Sequence, residues 1–235
     1  EAYLTWGNKM AQCKFCGKSG FFLGLDKNGL CDNCHLAVGF DIKRSKEIIM
    51  ESFDIIQKSK NYQTIAGRFE IVYEILSRLK TYENKGINVF DKSIKTFSEE
   101  VKRIETNTIH EKFKADTAAV LAKTQIAQTP VSKVNLLTKH LMLIHELKTC
   151  YPSDVFLSEI EHEIKKMVNE IQLEKHLEAA RKAEFKGQQK KAIEYYYEAL
   201  YFLKNDDIDD ALQKKHIDEI TQKIQNLSNK TIIDL

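Results

Sequence analysis

Two CxxC motifs near the N-terminus limit what this chain can fold into more strongly than any other feature of its sequence. The motifs are Cys13-Lys-Phe-Cys16 and Cys31-Asp-Asn-Cys34, with fourteen residues between them. Two cysteine pairs at this spacing are typical of a tetrahedral zinc site with four thiolate ligands. Because protein sulfurs would fill all four positions, such a site is structural rather than catalytic. The sequence therefore predicts one structural Zn²⁺ bound by Cys13, Cys16, Cys31 and Cys34.

Other roles for these cysteines have less support. His35 is the nearest rival ligand, but it adjoins Cys34 and could not replace it unless the second CxxC moved. A thioredoxin-like redox role requires a βαβ pattern around one CxxC, and the surrounding sequence has no such pattern. Four reduced thiols without a metal are the remaining alternative.

The residues around the cysteines predict a small module. Gly17 is expected to adopt a positive φ, so that backbone N–H groups can point at the sulfurs. Residues 21–25 predict a strand, and residues 26–29 a tight turn in which Asn28 and Gly29 are both left-handed. The three nearby phenylalanines, Phe15, Phe21 and Phe22, are expected to pack around the metal, with base stacking as the alternative.

The chain after Cys31 is predicted to be helical, with Cys34 in the first turn, where the helix dipole favours a thiolate. Gly39 is expected to end this short helix, and Asp41 to cap a new one. The order of knuckle, hairpin and helix resembles a treble-clef zinc finger over about residues 10–40. The resemblance implies the same four cysteine ligands.

The middle of the chain reads as amphipathic helices, because apolar residues recur three or four positions apart. The pattern stops at residues 83–86, which predicts a loop. Residues 93–128 are predicted to be helical, as one bent helix or as two. Thr129 and Pro130 predict another helix start, since threonine caps helices and proline fits the first helical position.

The C-terminal part predicts a long helix capped by Ser153 or Asp154, a break at Gly187 and a second helix to about residue 203. Small and aromatic residues in these two helices resemble the packing positions of one tetratricopeptide repeat. The resemblance implies two closely packed antiparallel helices, and a last helix with one polar face is expected to cap them. The residues that carry it are Ala180, Ala183, Gly187, Ala192, Ile193, Tyr196, Ala199 and Leu200.

The predicted fold is therefore mainly α, with a small N-terminal zinc finger (knuckle, β-hairpin and short helix) followed by an all-α domain. The finger covers residues 10–40, an amphipathic helical region covers residues 41–152, and the tetratricopeptide-like hairpin with its capping helix covers residues 153–235. Residues 1–9 precede Met10, which would make a natural start, and are predicted to be a remnant of an expression vector.

Composition excludes several classes of function. The formal charge is +2, from 36 basic and 34 acidic residues without a basic block, which argues against a strong footprint on duplex DNA. No apolar run approaches the roughly 18 residues needed to cross a bilayer, and no secretory segment is recognisable. We therefore expect a soluble, cytoplasmic protein with no membrane partner.

Catalytic motifs are not recognisable in this sequence, and we expect no enzymatic activity. HExxH, P-loop, GxSxG and dinucleotide-binding patterns do not occur. Glu159 and His162 form an ExxH pair, half of a di-iron motif, but without a second such motif they read as an ordinary solvated face. Cys150 has no evident base nearby and is expected to be a buried thiol. An enzyme with its site between helices has no residue to support it.

These features predict a zinc-binding adaptor that binds another protein through its helical domain. The densest aromatic stretch and two adjacent lysines form the expected docking face: Tyr195, Tyr197, Lys190 and Lys191. Core packing is the alternative role for the tyrosines. The alternative function is nucleic-acid binding, in which the finger contacts phosphates through Lys14, Lys18, Lys27, Lys43 and Arg44.

Overall fold

The computed structural model describes residues 10–205 and 210–233. The prediction for residues 1–9 lies outside this part of the chain. The described residues are 79 % helical, which confirms a mainly α protein with a small N-terminal knuckle. Their elements, in chain order, are β1 (Ala11–Gln12), β2 (Ser19–Gly20), α1 (Asp32–Lys58), α2 (Tyr62–Glu83), α3 (Ile94–Ile126), α4 (Pro130–Cys150), α5 (Val155–Phe185), α6 (Gln189–Lys204) and α7 (Asp210–Ile233).

The chain forms two compact units that divide between Glu111 and Lys112, within α3. The first unit contains the cysteine module, α1, α2 and the start of α3, and the second contains the rest of α3 and α4 to α7. The domain limits predicted from the sequence remain predictions.

The hairpin lies around the first CxxC rather than after it. Strands β1 and β2 pair antiparallel, with Ala11 opposite Gly20 and Gln12 opposite Ser19. The N–H of Cys13 donates to the carbonyl oxygen of Lys18 at 2.8 Å, which closes the knuckle inside the hairpin. The strand predicted over residues 21–25 is therefore wrong, because the chain has already turned back by then and residues 21 and 22 form a turn.

Helix α1 continues through Gly39, so the prediction that this glycine ends a short helix is wrong. Glycine costs a helix interior only about 0.5–1 kcal/mol, and tertiary packing outweighs that cost here. The buried residues of α1 recur at helical spacing on both sides of the glycine: Cys34, Val38, Ser45, Ile49, Ser52 and Ile56. This face packs against α2. Asp41 lies inside α1 and does not cap a helix; it binds Arg78 and Tyr82 of α2.

Helix α2 and the break after it agree with the sequence. Asn61 caps α2 by accepting from the N–H of Thr64 at 2.9 Å, and Gly86 has φ 71° in the connecting loop. Helix α3 then runs without interruption over 33 residues, so residues 94–126 form one helix and not two. The Tyr73 hydroxyl of α2 donates to Glu105 of α3 at 2.8 Å.

The second unit packs each helix against the next, α4 on α5, α5 on α6 and α6 on α7. Its boundaries follow local rules: Thr129 caps α4, Asp154 caps α5, and Gly187 has φ 68° between α5 and α6. One hydrophobic cluster joins the last three helices: Leu173, Ala180, Ala183, Ala192, Tyr196, Ala199, Leu203, Ile220, Ile224 and Leu227.

None of the helices among the described residues is both long enough and apolar enough to cross a bilayer.

Candidate functional site

The four cysteines of the two CxxC motifs converge on one point. Cys13 and Cys16 lie in the knuckle between β1 and β2, Cys31 is the N-cap of α1, and Cys34 lies in its first turn. Their Sγ atoms all lie within 4.8 Å of one another, and Cys13, Cys31 and Cys34 are buried while Cys16 is exposed. The prediction that Cys34 occupies the first turn of a helix is confirmed.

The sulfur spacing fits a metal ion and not a disulfide. A tetrahedral ion bound to sulfur at about 2.3 Å holds its ligand sulfurs about 3.8 Å apart. The Sγ atoms of Cys16 and Cys31 are 3.9 Å apart, nearly twice the length of an S–S bond, and all four cysteines are free. The cluster can therefore bind a metal ion through four thiolates.

Backbone N–H groups prepare one of the sulfurs for ionisation. Burial raises the pKa of the Cys13 thiol, but hydrogen bonds from the backbone N–H groups of Cys16, Cys31 and Phe15 outweigh it, and the pKa falls to about 6. The N–H of Cys31 lies 3.4 Å from the Cys13 sulfur. Gly17, with φ 75°, permits the tight turn of the knuckle, as its sequence position predicts.

The negative charge of four clustered thiolates favours a bound cation at this site. Burial, contacts with the other three sulfurs and the charge on Cys13 raise the pKa of Cys34 to about 12. Four adjacent thiolates are therefore unfavourable unless a positive ion lies between them, and a bound divalent metal reverses the pKa increase. Binding of a metal at this site should release protons from the remaining thiols.

His35 does not join the sulfur cluster. Its Nδ1 lies 2.6 Å from Oδ2 of Asp26, and the other carboxylate oxygen of Asp26 accepts from the N–H groups of Asn28 and Leu30 at 2.9 and 2.8 Å. These contacts lower the pKa of Asp26, and the hydrogen bond from the Leu30 N–H contributes most. Only Gly29 of the predicted left-handed pair has a positive φ, of 76°, so the prediction for Asn28 is wrong. The Asp26 carboxylate shapes this turn instead.

The cysteine module packs against the loop between α2 and α3. Leu30 and Val38 share one buried cluster with three of the cysteines, all but Cys16, and with Ile87 of that loop. The Lys14 ammonium donates to the carbonyl oxygen of Gly86 at 2.8 Å, and Lys85 donates to the carbonyl oxygen of Phe15 at 3.1 Å. The module thus shares part of its core with the helical part of the first unit.

The three phenylalanines of the module have different environments. Phe15 contacts Tyr82 edge-on, with ring centroids 5.8 Å apart. Phe21 and Phe22 are 73 % and 102 % exposed, and the N–H of Leu23 donates to the carbonyl oxygen of Gly20 across the turn that holds them. The predicted packing of Phe21 and Phe22 around the metal is therefore wrong. Leu23, not either phenylalanine, packs against the module's core.

The basic residues of the nucleic-acid alternative are partly engaged within the protein. Lys14 binds the Gly86 carbonyl, and Arg44 pairs with Glu47 and Glu51 at 3.3 and 3.6 Å. Lys18, Lys27 and Lys43 are exposed. Nearby carboxylates thus offset the charge of Arg44.

The two predicted docking tyrosines of α6 lie on different faces. Tyr197 is 55 % exposed and lines a groove, whereas Tyr195 packs partly buried against the core of the second unit. Residues two positions apart on a helix are separated by about 200°, so Tyr195 and Tyr197 cannot serve one surface. Lys190 and Lys191 are exposed but do not line the groove.

The groove is about 640 Å³ in volume and combines aromatic and acidic side chains from α5 and α6. Its lining consists of His176, Glu194, Tyr197, Glu198, Tyr201, Phe202 and Asn205. The glutamates and Tyr201 were absent from the predicted docking set. The signal that could have found them is the spacing of Glu194, Tyr197, Glu198 and Tyr201, which places all four on one helical face.

Two further residues considered from the sequence stay outside any metal cluster of the described chain. Glu159 and His162 are exposed, and the described residues offer only the four cysteines as a group of potential ligands. Cys150 is exposed, so the expectation of a buried thiol is wrong. It is the last residue of α4.

Comparison of the chain with protein-family models, with curated proteins and with solved structures gives no match. The treble-clef and tetratricopeptide resemblances therefore remain predictions, and the geometry alone carries the functional argument.

Proposed function

We propose that this protein is a zinc-binding scaffold without catalytic activity, which binds another protein through its helical region. The observation that carries the metal part of the proposal is the sulfur cluster, with four Sγ atoms within 4.8 Å. Its donor set supports a closed structural site, because four protein ligands leave no open position for a substrate or water.

The donor chemistry favours zinc. Soft thiolate ligands in a tetrahedral arrangement select zinc or an iron–sulfur cluster among biological metals. Mononuclear zinc needs sulfur separations of about 3.8 Å, close to the 3.9 Å between Cys16 and Cys31. Zinc also suits a structural role because it has no redox chemistry.

The protein-binding part of the proposal rests on the α5–α6 groove. Tyr197 and Tyr201 line this groove and are 55 % and 72 % exposed, so neither ring is buried in the core. Exposed tyrosines around a concavity are typical of protein-binding surfaces, because the ring offers a large rigid contact area with a polar end. In this proposal the metal site holds the N-terminal module, and the groove binds the partner.

Nucleic-acid binding by the cysteine module remains the alternative, and its basic residues support it weakly. Lys14 and Arg44 already have partners, and a bound zinc with four thiolates adds a charge of −2 to the module.

Metal content tests the first part. We expect native mass spectrometry of the full chain to find one zinc ion per molecule. Cys31→Ser should lose the metal, whereas Cys150→Ser should keep it, because Cys150 is exposed and outside the cluster. A wild-type stoichiometry well below one, or iron in place of zinc, would contradict the zinc assignment.

Partner capture tests the second part. The zinc-loaded chain should retain a protein from native cell extract after nuclease treatment, and this protein should bind the purified chain directly. Loss of all retained material on nuclease treatment, together with salt-sensitive binding of single-stranded DNA or RNA, would favour the nucleic-acid alternative instead.

A further inference from the structure

The α5–α6 groove has an acidic and aromatic character that selects a class of partner. Glu194 and Glu198 are its charged carboxylates, and the described residues that line it include no lysine or arginine. The lysines of α6, Lys190, Lys191 and Lys204, lie outside the lining. A partner therefore meets negative charge and exposed tyrosine rings here.

A ring pair from the two helices contributes to the lining of the groove. The His176 ring of α5 stacks on Phe202 of α6, with centroids 5.9 Å apart and planes 30° apart. The same histidine has its Nδ1 3.6 Å from Oε2 of Glu198. These contacts place the carboxylate beside the aromatic surface.

The groove is open to the surface. Tyr197 and Tyr201 keep 55 % and 72 % of their surface exposed, whereas sites for small molecules enclose most of their ligand. An extended or helical peptide segment fits such an open groove, with one anchoring side chain in the concavity.

We propose that this groove binds an arginine side chain from a basic peptide segment of the partner protein. The inference rests on the proposed function, that the helical region binds another protein, and names the surface and the chemistry of that partner. A guanidinium group stacks on the face of Tyr197 or Tyr201 and donates two parallel hydrogen bonds to a glutamate. An ammonium group stacks less well on a tyrosine ring and cannot donate two parallel hydrogen bonds to a carboxylate, so arginine is preferred over lysine.

Fluorescence anisotropy with a defined probe tests the inference. The probe is a fluorescein-labelled nonapeptide in which three arginines alternate with serines and leucines, titrated with the zinc-loaded full chain. Two matched peptides carry lysine or glutamate in place of arginine. We expect the arginine peptide to bind, with affinity that falls as salt increases, the lysine peptide to bind several-fold more weakly, and the glutamate peptide not to bind.

Variants locate the binding. Tyr201→Ala should weaken binding of the arginine peptide by roughly twofold to fivefold, the usual size of a cation–π contact at an exposed site, and Glu198→Gln should weaken it by at least as much. Tyr201→Phe keeps the ring face and should bind nearly as the wild type does. The controls are Phe185→Ala, an aromatic residue 93 % exposed outside the groove, and Glu219→Gln, a glutamate of α7 with similar exposure to Glu198. Neither should change the affinity.

Each outcome decides between the alternatives. Absence of binding at millimolar peptide, equal binding of the glutamate peptide, or unchanged affinity in both Tyr201→Ala and Glu198→Gln would overturn the groove as an arginine site. Equal binding of the lysine peptide would overturn the preference for arginine. If the groove variants still retain the captured partner protein, the proposed scaffold function stands and this inference fails. If the wild-type chain retains no protein yet binds the arginine peptide through the groove, the scaffold proposal fails instead.

Discussion

Substitution of Leu30 by alanine separates the ligands of the proposed zinc site from the core that supports them. Leu30 immediately precedes Cys31 and is 2 % exposed. It packs in one cluster with three of the four cysteines, with Val38 and with Ile87. The substitution leaves every sulfur in place and removes only apolar contacts, so any effect on metal binding must act through folding of the module.

The magnitude follows from burial. Removal of the buried part of a leucine side chain costs about 2–5 kcal/mol, which includes the cavity left behind. We expect a module this small to depend on its metal to fold, so that the lost folding energy is expressed as lost metal affinity. A cost of about 3 kcal/mol corresponds to a decrease in zinc affinity of roughly one hundredfold.

Competition with a chromophoric zinc chelator measures this affinity for the full chain. The control is Leu36→Ala, since Leu36 is a leucine of α1 that is 71 % exposed, and its affinity should match the wild type. If Leu30→Ala binds zinc as tightly as the wild type does, the module is folded before the metal binds, and the coupling on which this estimate depends is wrong.

Four further predictions concern the helices. Gly39→Ala should stabilise the protein by about 0.5–1 kcal/mol in urea unfolding, because Gly39 is helical with open space around it, and a destabilising effect would mean that α1 breaks there. Gly187→Ala should destabilise the protein by about 1–2 kcal/mol, because its φ of 68° is unfavourable for alanine. Burial lowers the pKa of His140, with the charge of Asp116 opposing this shift in part, so the unfolded chain binds the proton at a higher pH than the folded chain does. The free energy of unfolding should therefore decrease as the pH falls below about 6.5. His140→Gln should reduce the slope of this pH dependence, and an unchanged slope would assign it to other groups. Removal of the metal by a chelator should reduce the circular dichroism signal at 222 nm by only a few per cent, because only the first turns of α1 belong to the cysteine module; a loss of one third would show that the metal supports other helices as well.

Features governed by residues next to one another in the sequence were predictable. The caps Thr129 and Asp154 and the left-handed Gly187 each act through contacts within a few residues, so their effect does not depend on the rest of the fold. The cysteine cluster was predictable for a similar reason, because two CxxC knuckles each bring two sulfurs together locally and only the pairing of the two knuckles requires tertiary structure.

The errors arise where distant contacts outweigh local preference. Glycine often ends a helix, but the face of α1 that is buried against α2 keeps the helix continuous through Gly39. Phe21 and Phe22 are apolar and adjacent to the site, yet Leu23 is the residue that packs against the core, and both rings stay in solvent. Composition does not reveal which of three neighbouring apolar residues will face inward, since the turn geometry decides it.

The sequence by itself therefore determined the four cysteines that could hold a metal ion, the helical class and the helix ends set by capping residues, because each depends on short-range spacing. Tertiary structure alone decided that α1 is continuous, that the cysteine module shares its core with the loop around Ile87, and that Tyr197 lines a groove while Tyr195 packs inward. These features depend on which helical face meets a neighbouring element, and contacts between residues far apart in the chain fix that choice. The groove and its acidic lining exist only once α5 and α6 are packed together.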